Sequence, residues 1–176
     1  MDQNQSEVER VAALRGYSIL DTPAEPEFDA LVNEAAALME TPIALISLID
    51  ERRQWFKARV GLEVQETPRS VSFCTHAIVG DDVMLVPDAS RDVRFMNNPL
   101  VIHDPSIRFY AGAVLKNSDG HRLGTLCVID RTARASISQE KIEALQNLAD
   151  KTIAVLEERQ RKAMTLSVDD HTATPA

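Results

Sequence analysis

An α+β fold organised on a central antiparallel sheet is expected from three observations. First, residues 107–130, IRFYAGAVLKNSDGHRLGTLCVID, place two apolar runs around Lys116–His121, where Asp119–Gly120 signals a hairpin turn because both residue types tolerate positive φ. Second, the first arm of this hairpin is apolar at both parities, Phe109, Ala111 and Ala113 on one and Tyr110 and Val114 on the other, as in a strand covered on both faces. Third, amphipathic helical patterns lie on either side of the strand-like runs. The 176 residues, 44% of them apolar, suit one domain. Its limits are expected at residues 6–162, with disordered ends at 1–5 and 163–176.

In chain order, Ser6 is positioned to cap a short helix through Leu14 that Gly16 stops. Thr22 and Glu25 form a potential capping box for a second helix reaching about Met39, with Phe28, Leu31, Val32, Ala35, Leu38 and Met39 on its apolar face. PIALISLI, 42–49, reads as a strand buried on both faces. Asp50–Arg53 reads as a turn, and Gln54–Val60 alternates Phe56, Ala58 and Val60 against Trp55, Lys57 and Arg59, as in a half-exposed edge strand. A loop over 62–70 leads to a short helix Phe73–Val79 capped by Ser72, and then a strand at 83–86. Residues 88–106 carry no clear strand, which is long for a connection and marks a candidate functional loop. Within it Asn98–Pro99 starts one helical turn. Its N–H groups would suit an anion or a carbonyl oxygen, or else the turn simply covers the core. After the hairpin, Ser138 caps a long helix to about Lys162. Ile142, Leu145, Ala149, Thr152 and Leu156 form its stripe, and Leu148, Ile153 and Val155 widen it enough to imply a second partner surface.

A net charge of −8 with dispersed Lys and Arg opposes nucleic acid as a partner. No apolar run approaches a membrane span and no leader pattern opens the chain, so a cytoplasmic protein is expected, with Cys74 and Cys127 as thiols. Cys74 and His76 in FCTHAI would point about 200° apart on a helix, which opposes a shared metal. Cys127 sits in an aliphatic strand, where core packing is favoured over redox chemistry. Asp50 and Asp130 follow strands directly and suit turn N–H groups. Arg94, Asn97, Asn98, Arg108 and Tyr110 gather around the long loop. They either bind a polar ligand or tie the loop to Asp88, Asp92 and Asp104. No phosphate loop, dinucleotide fingerprint, nucleophile elbow or metal-binding cysteine cluster occurs in the sequence, so no catalytic residue, metal or cofactor is specified.

The blocks ILDTPAEPEFD, PIALISLID, RQWFKARVGL, SFCTHAI, LVPDASRDVRFMNNPLV, IRFYAGAVL and GTLCVID, taken in this order, resemble the GAF domains of bacterial signalling proteins, particularly those placed before histidine kinase or diguanylate cyclase modules. The resemblance runs from about Val8 to Arg161. It implies five or six antiparallel strands, terminal helices on one face, and loops and short helices closing a small-molecule pocket on the other. It also implies dimerisation through the terminal helices. The pocket residues expected on this basis are Phe73, Cys74, Arg94, Phe95, Leu100, Phe109, Ala111, Ala113, Thr125 and Cys127. The dimer helix would use Ile142, Leu145, Ala149, Thr152 and Leu156. Which hairpin parity faces the pocket stays open: the alanines at 111 and 113 leave room for a ligand or allow close approach of a helix.

The cyclic-nucleotide pattern F-x-x-x-D-E is absent, and FCTHAI does not reproduce the bilin-attachment context. The expected function is therefore a sensory or regulatory, non-enzymatic module of unspecified ligand. A cysteine-dependent free methionine sulfoxide reductase and a ligand-free dimerisation scaffold are the alternatives. With no output segment after Lys162, the signal is expected to leave through a separate signalling protein or through the homodimer itself.

Overall fold

A computed structural model describes residues 3–172. Its centre is a six-stranded sheet in the order β3-β2-β1-β6-β5-β4, every neighbouring pair antiparallel. The strands are β1 (Ile43–Ile49), β2 (Arg53–Val60), β3 (Glu66–Pro68), β4 (Met84–Val86), β5 (Phe109–Lys116) and β6 (Arg122–Asp130). Helices α1 (Gln3–Gly16), α2 (Pro26–Met39) and α5 (Gln139–Thr172) flank it, while α3 (Cys74–Ala77) and α4 (Pro99–Ile102) are single turns. The α+β architecture and the two-sided central strands stand as expected.

The pleat sends alternate residues to two separate cores. Ala44, Ile46 and Leu48 of β1, Phe109, Ala111, Ala113 and Leu115 of β5, and Leu126 and Val128 of β6 pack with Phe28 and Ala35 of α2 and Leu145 and Ala149 of α5. Ile43, Leu45 and Ile49, Tyr110, Cys127 and Ile129 face the other way, toward Phe73, Cys74, Phe95 and Val101. This settles the hairpin parity: the alanines of β5 admit the helices. The hairpin turn closes with Gly120 at φ +85, which a residue without Cβ adopts at little cost.

Several local expectations change. Helix α1 begins at Gln3, one turn before Ser6, so residues 3–5 are helical rather than disordered; 1–2 lie outside the described residues. The Thr22–Glu25 capping box does not form. Thr22 Oγ1 instead donates to the Ile19 carbonyl, and the Glu25 carboxylate is taken by Lys57 and Arg159. Pro26 occupies the first turn of α2. Strand β2 is not an edge, because the three-residue β3 covers it. The β1–β2 register shifts at Ile46/Ser47, so Trp55 and Ala58 join the helix-side core while Phe56 turns to the other side. Ser138 Oγ accepts the Lys141 N–H at 3.3 Å as a cap. Helix α5 then continues past Lys162 to Thr172, so 163–172 are helical rather than a disordered tail, and 173–176 lie outside the described residues.

Candidate functional site

On the face opposite the long helices, the second core does not close completely. It leaves a cavity of about 170 Å³ bounded by Ile43 and Leu45 of β1, Phe56 of β2, Tyr110 of β5 and Cys127 and Ile129 of β6. Phe73, Cys74, Leu100, Pro105 and Ile107 cover it from the loop side. Val64, 49% exposed, and the exposed Asp104 mark its mouth. The lining is almost wholly apolar, with Gln54, Thr67, Asp104, the Tyr110 hydroxyl and two thiols as its polar groups.

Gln54, Thr67, Tyr110 and the two cysteines are placed by hydrogen bonds and close packing. Ser72 Oγ accepts the Thr75 N–H at 3.2 Å, which starts α3 and points Cys74 at the sheet. The Ser72 and Ser47 hydroxyls both donate to Gln54 Oε1, at 2.9 and 2.7 Å, and Gln54 Nε2 donates to Thr67 Oγ1 at 3.0 Å. Tyr110 lies along its own strand because Gly112 has no side chain: a Cβ there would stand 2.2 Å from the tyrosine oxygen. So placed, the Tyr110 hydroxyl donates to Cys74 Sγ at 3.1 Å, and Thr125 Oγ1 does the same at 3.1 Å. Cys127 Sγ stands 4.0 Å from Cys74 Sγ.

This arrangement separates the two thiols. Burial opposes ionisation of Cys74, but hydrogen bonds from Cys127, Thr125 and Tyr110 outweigh it and hold its pKa below the ordinary thiol value. Cys127 moves up, first because of its hydrogen bond to Cys74 and then through burial. Tyr110 is raised too, by burial first and by the neighbouring Cys74 charge second.

The cavity is tied to the helix layer through β2. Phe56 lines the cavity, and the next residue, Lys57, turns a fully buried side chain toward the segment before α2. Its Nζ donates to Thr22 Oγ1 at 2.8 Å, to the Pro23 carbonyl at 2.6 Å and to the Glu25 carboxylate. Arg159 of α5 grips the same carboxylate through Nε at 3.0 Å. Burial would raise the Glu25 pKa, but the hydrogen bonds from Lys57 and Arg159 prevail and lower it.

Residues 23–155 match the sequence profile of the GAF domain family. The chain belongs to this family. A Pseudomonas aeruginosa protein named cyclic di-GMP phosphodiesterase PA2567 is 43% identical over 145 residues, covering 82% of this chain but 25% of that protein. The GAF domain described here thus spans about a quarter of that relative. Among solved structures, the blue-light absorbing form of the Thermosynechococcus elongatus PixJ GAF domain superposes with TM-score 0.64 at 13% identity, covering 99% of this chain and 100% of the other. The GAF domain of an Acinetobacter phosphoenolpyruvate-protein phosphotransferase gives 0.62 at 19% identity, covering 90% and 95%. A type II free methionine-R-sulfoxide reductase from Thermoplasma acidophilum gives 0.60 at 13%, covering 87% and 96%. At these identities the likeness establishes the GAF fold.

Of the pocket residues named from the sequence, the GAF domain brings Phe73, Cys74, Leu100 and Cys127 to the cavity wall. Phe109, Ala111 and Ala113 belong instead to the helix-side core, because that parity of β5 receives α2 and α5. Thr125 is buried beside Cys74 without lining the space. Phe95 stacks on Phe73 at 4.0 Å behind the wall. Arg94 is held outside by Asp92, whose carboxylate accepts at 2.7 Å. Asn98 and Arg108 of the loop are likewise engaged structurally. Asn98 Oδ1 accepts the Leu100 N–H that an anion would need, Asn98 Nδ2 donates to the Val71 carbonyl, and Arg108 donates to the Val101 and Ile107 carbonyls. Asp50 binds Arg15 and Arg53, and Asp130 binds Arg134.

Sequence reasoning left Ile43, Leu45, Gln54, Phe56 and Ile129 out of the pocket; the register shift that turns Phe56 inward carries no sequence signature. In the helix layer, Leu145, Ala149 and Leu156 are consumed by the domain's own core, Thr152 is buried with its hydroxyl donating to the Leu148 carbonyl, and Ile142 is partly buried. The proposed dimer stripe is therefore not a free surface. Among the described residues, no helix is long and apolar enough to cross a membrane, and no cluster of three or more His, Cys, Asp or Glu is placed to hold a metal ion.

Proposed function

We propose that this GAF domain is a regulatory sensor that takes a compact, mostly apolar ligand into the cavity and reports it through α5. The observation that carries this reading is the apolar cavity itself, with wall strand β2 tied by Lys57 and Glu25 to Arg159. A buried apolar cavity of roughly 150 Å³ accommodates a benzene-sized molecule, whereas drug-sized ligands need roughly 300 Å³ or more. The fitting class is an aromatic or branched aliphatic of about six to ten heavy atoms with one hydrogen-bonding group. A cyclic nucleotide or a tetrapyrrole exceeds this space. The wall holds Asp104 and no Lys, Arg or His among its described residues, which disfavours a free amino acid and its carboxylate.

Ligand entry would push on Phe56 and shift the Lys57–Glu25–Arg159 tie, changing the balance between two positions of α5. Beyond the core, α5 exposes Met164, Leu166 and Val168, and a homodimer or a separate signalling protein would receive the signal there. The PA2567 relative makes control of a cyclic di-GMP phosphodiesterase output a reasonable destination.

The test is thermal melting and native mass spectrometry with indole, on wild type and on Leu45→Trp, which fills the cavity. At a hundredfold excess over Kd a ligand specific to the folded state stabilises by about 2.7 kcal/mol. Wild type should show 1:1 binding and a raised Tm, and Leu45→Trp neither. Absence of binding in wild type, or equal binding in both proteins, overturns the assignment of this cavity as the ligand site.

A further inference from the structure

We propose that Cys74 and Cys127 are a peroxide-oxidisable dithiol that closes into an intramolecular disulfide at the cavity floor. Two buried cysteines from distant parts of the sequence meet with their sulfurs 4.0 Å apart, and both line the cavity. A disulfide needs about 2.05 Å, so the sulfurs must approach by about 2 Å. Cys127 is fixed in β6 between β1 and β5. Cys74 opens the four-residue helix α3, which packs against the sheet from the loop side. Closure therefore falls to a side-chain rotation at Cys74 with a small inward shift of α3.

The surroundings divide the two roles. Tyr110 and Thr125 aim hydroxyl donors at Cys74 Sγ, which favours charge on that sulfur and makes it the attacking one. Cys127, whose thiol is held protonated, is the resolving partner. Hydrogen peroxide is small and neutral enough to enter through the mouth beside Val64 and Asp104.

In the first step the Cys74 sulfur attacks a peroxide oxygen. An S–O bond forms, the O–O bond breaks, and the departing hydroxide takes the proton released by Cys74, leaving a sulfenic acid and one water. In the second, the Cys127 sulfur attacks the Cys74 sulfur. The S–S bond forms, the S–O bond breaks, and the hydroxide leaves with the Cys127 proton as a second water. Two thiols are thus oxidised and one hydroperoxide is reduced, with a reducing thiol pool required for reversal.

The disulfide would also alter the cavity. Moving Cys74 breaks the hydrogen bonds from Tyr110 and Thr125 and draws along Phe73, which stacks on Phe95 at 4.0 Å. The chemistry requires only entry of peroxide, so it stands or falls independently of any apolar ligand.

The experiment treats the reduced full chain with hydrogen peroxide at a level that oxidises free cysteine, then unfolds it in iodoacetamide and measures intact and peptide masses. Wild type should become about 2 Da lighter as a single chain, with neither cysteine alkylated, and dithiothreitol should restore both. Cys127→Ser should stop at the sulfenic acid on Cys74, about 16 Da heavier and captured by dimedone, while Cys74→Ser should keep an alkylatable Cys127. Wild type alone decides whether the disulfide forms, so a poorly folded variant does not obscure the answer. Full alkylation of wild type after peroxide, or disulfides only between chains, overturns the proposal. Cys127 oxidised as fast in Cys74→Ser as in wild type overturns the assignment of Cys74 as attacking sulfur.

Discussion

The two faces of this sheet use the same strands and end in opposite states. On the helix side, Phe109, Ala111, Ala113 and Leu115 of β5 meet α2 and α5 in a continuous core. On the other side, Tyr110 and Cys127 look into a space that single-turn helices do not fill. Long helices present whole apolar stripes and close the gap between layers, whereas α3 and α4 each contribute a few side chains held by turn hydrogen bonds. One face supplies stability and the other supplies room.

That contrast sets the order of expected effects. Leu145→Ala, fully buried between α5 and the sheet, should cost about 2–5 kcal/mol in chemical denaturation, because the helix layer cannot collapse around the hole. Ala113→Val should cost about 1–3 kcal/mol by overpacking that face. Leu45→Phe, pointing into the cavity, should cost less than about 1 kcal/mol. Equal costs for these two enlargements would remove the distinction between a solid face and a hollow one. Gly112→Ala should displace the buried Tyr110 ring as well as its hydroxyl and cost about 1–3 kcal/mol, overpacking adding to the lost hydrogen bond. It should also slow alkylation of Cys74 by a small neutral reagent at pH 7, which peptide mapping would read.

The smallest effect is electrostatic and lies away from both cores. The Glu7 carboxyl is held at about 2, well below the ordinary 4.5, mainly by the Arg10 hydrogen bond, against the opposing effect of burial, with Arg69 adding to it. A lowered carboxylate pKa contributes stability that is fully present above 4.5 and is lost as pH falls through about 2. Because this carboxylate is 36% exposed, the contribution should stay under about 1 kcal/mol after solvent screening. Glu7→Gln should flatten the fall in Tm between pH 5 and pH 2 by that small amount.

The hairpin, the buried strand at 42–49 and the amphipathic stripes of α2 and α5 were legible because each rests on local turn chemistry or on periodicity. The parity of β5 was not, since both of its faces are apolar and only the placement of Gly112 beneath Tyr110 distinguishes them. The capping box failed because Glu25 gains more from Lys57 and Arg159 than from a helix end, a partnership spanning 134 residues of sequence. Strand β3 escaped notice because three residues including Pro68 carry no alternation, and with it went the expected edge at β2. The surplus width of the α5 stripe could not be assigned from the sequence, because Leu145, Ala149 and Leu156 join the domain's own core and Thr152 is buried with them. Residues 163–172 look polar, yet Ala163, Met164 and Leu166 are good helix formers, and extending an existing helix avoids the cost of nucleation. Cys74 and Cys127 were legible as pocket residues, but the 4.0 Å between their sulfurs joins positions 53 residues apart and has no local sequence signature.

The proposed communication of the hollow face with the solid one through Lys57, Glu25 and Arg159 is read most directly from backbone amide shifts during titration with indole in wild type and in Lys57→Met. Wild type should respond at Tyr110 and Cys127 and also along α5 around Arg159, and Lys57→Met should keep the cavity response while losing most of that in α5. A silent α5 in wild type, or an undiminished α5 response in Lys57→Met, would contradict it.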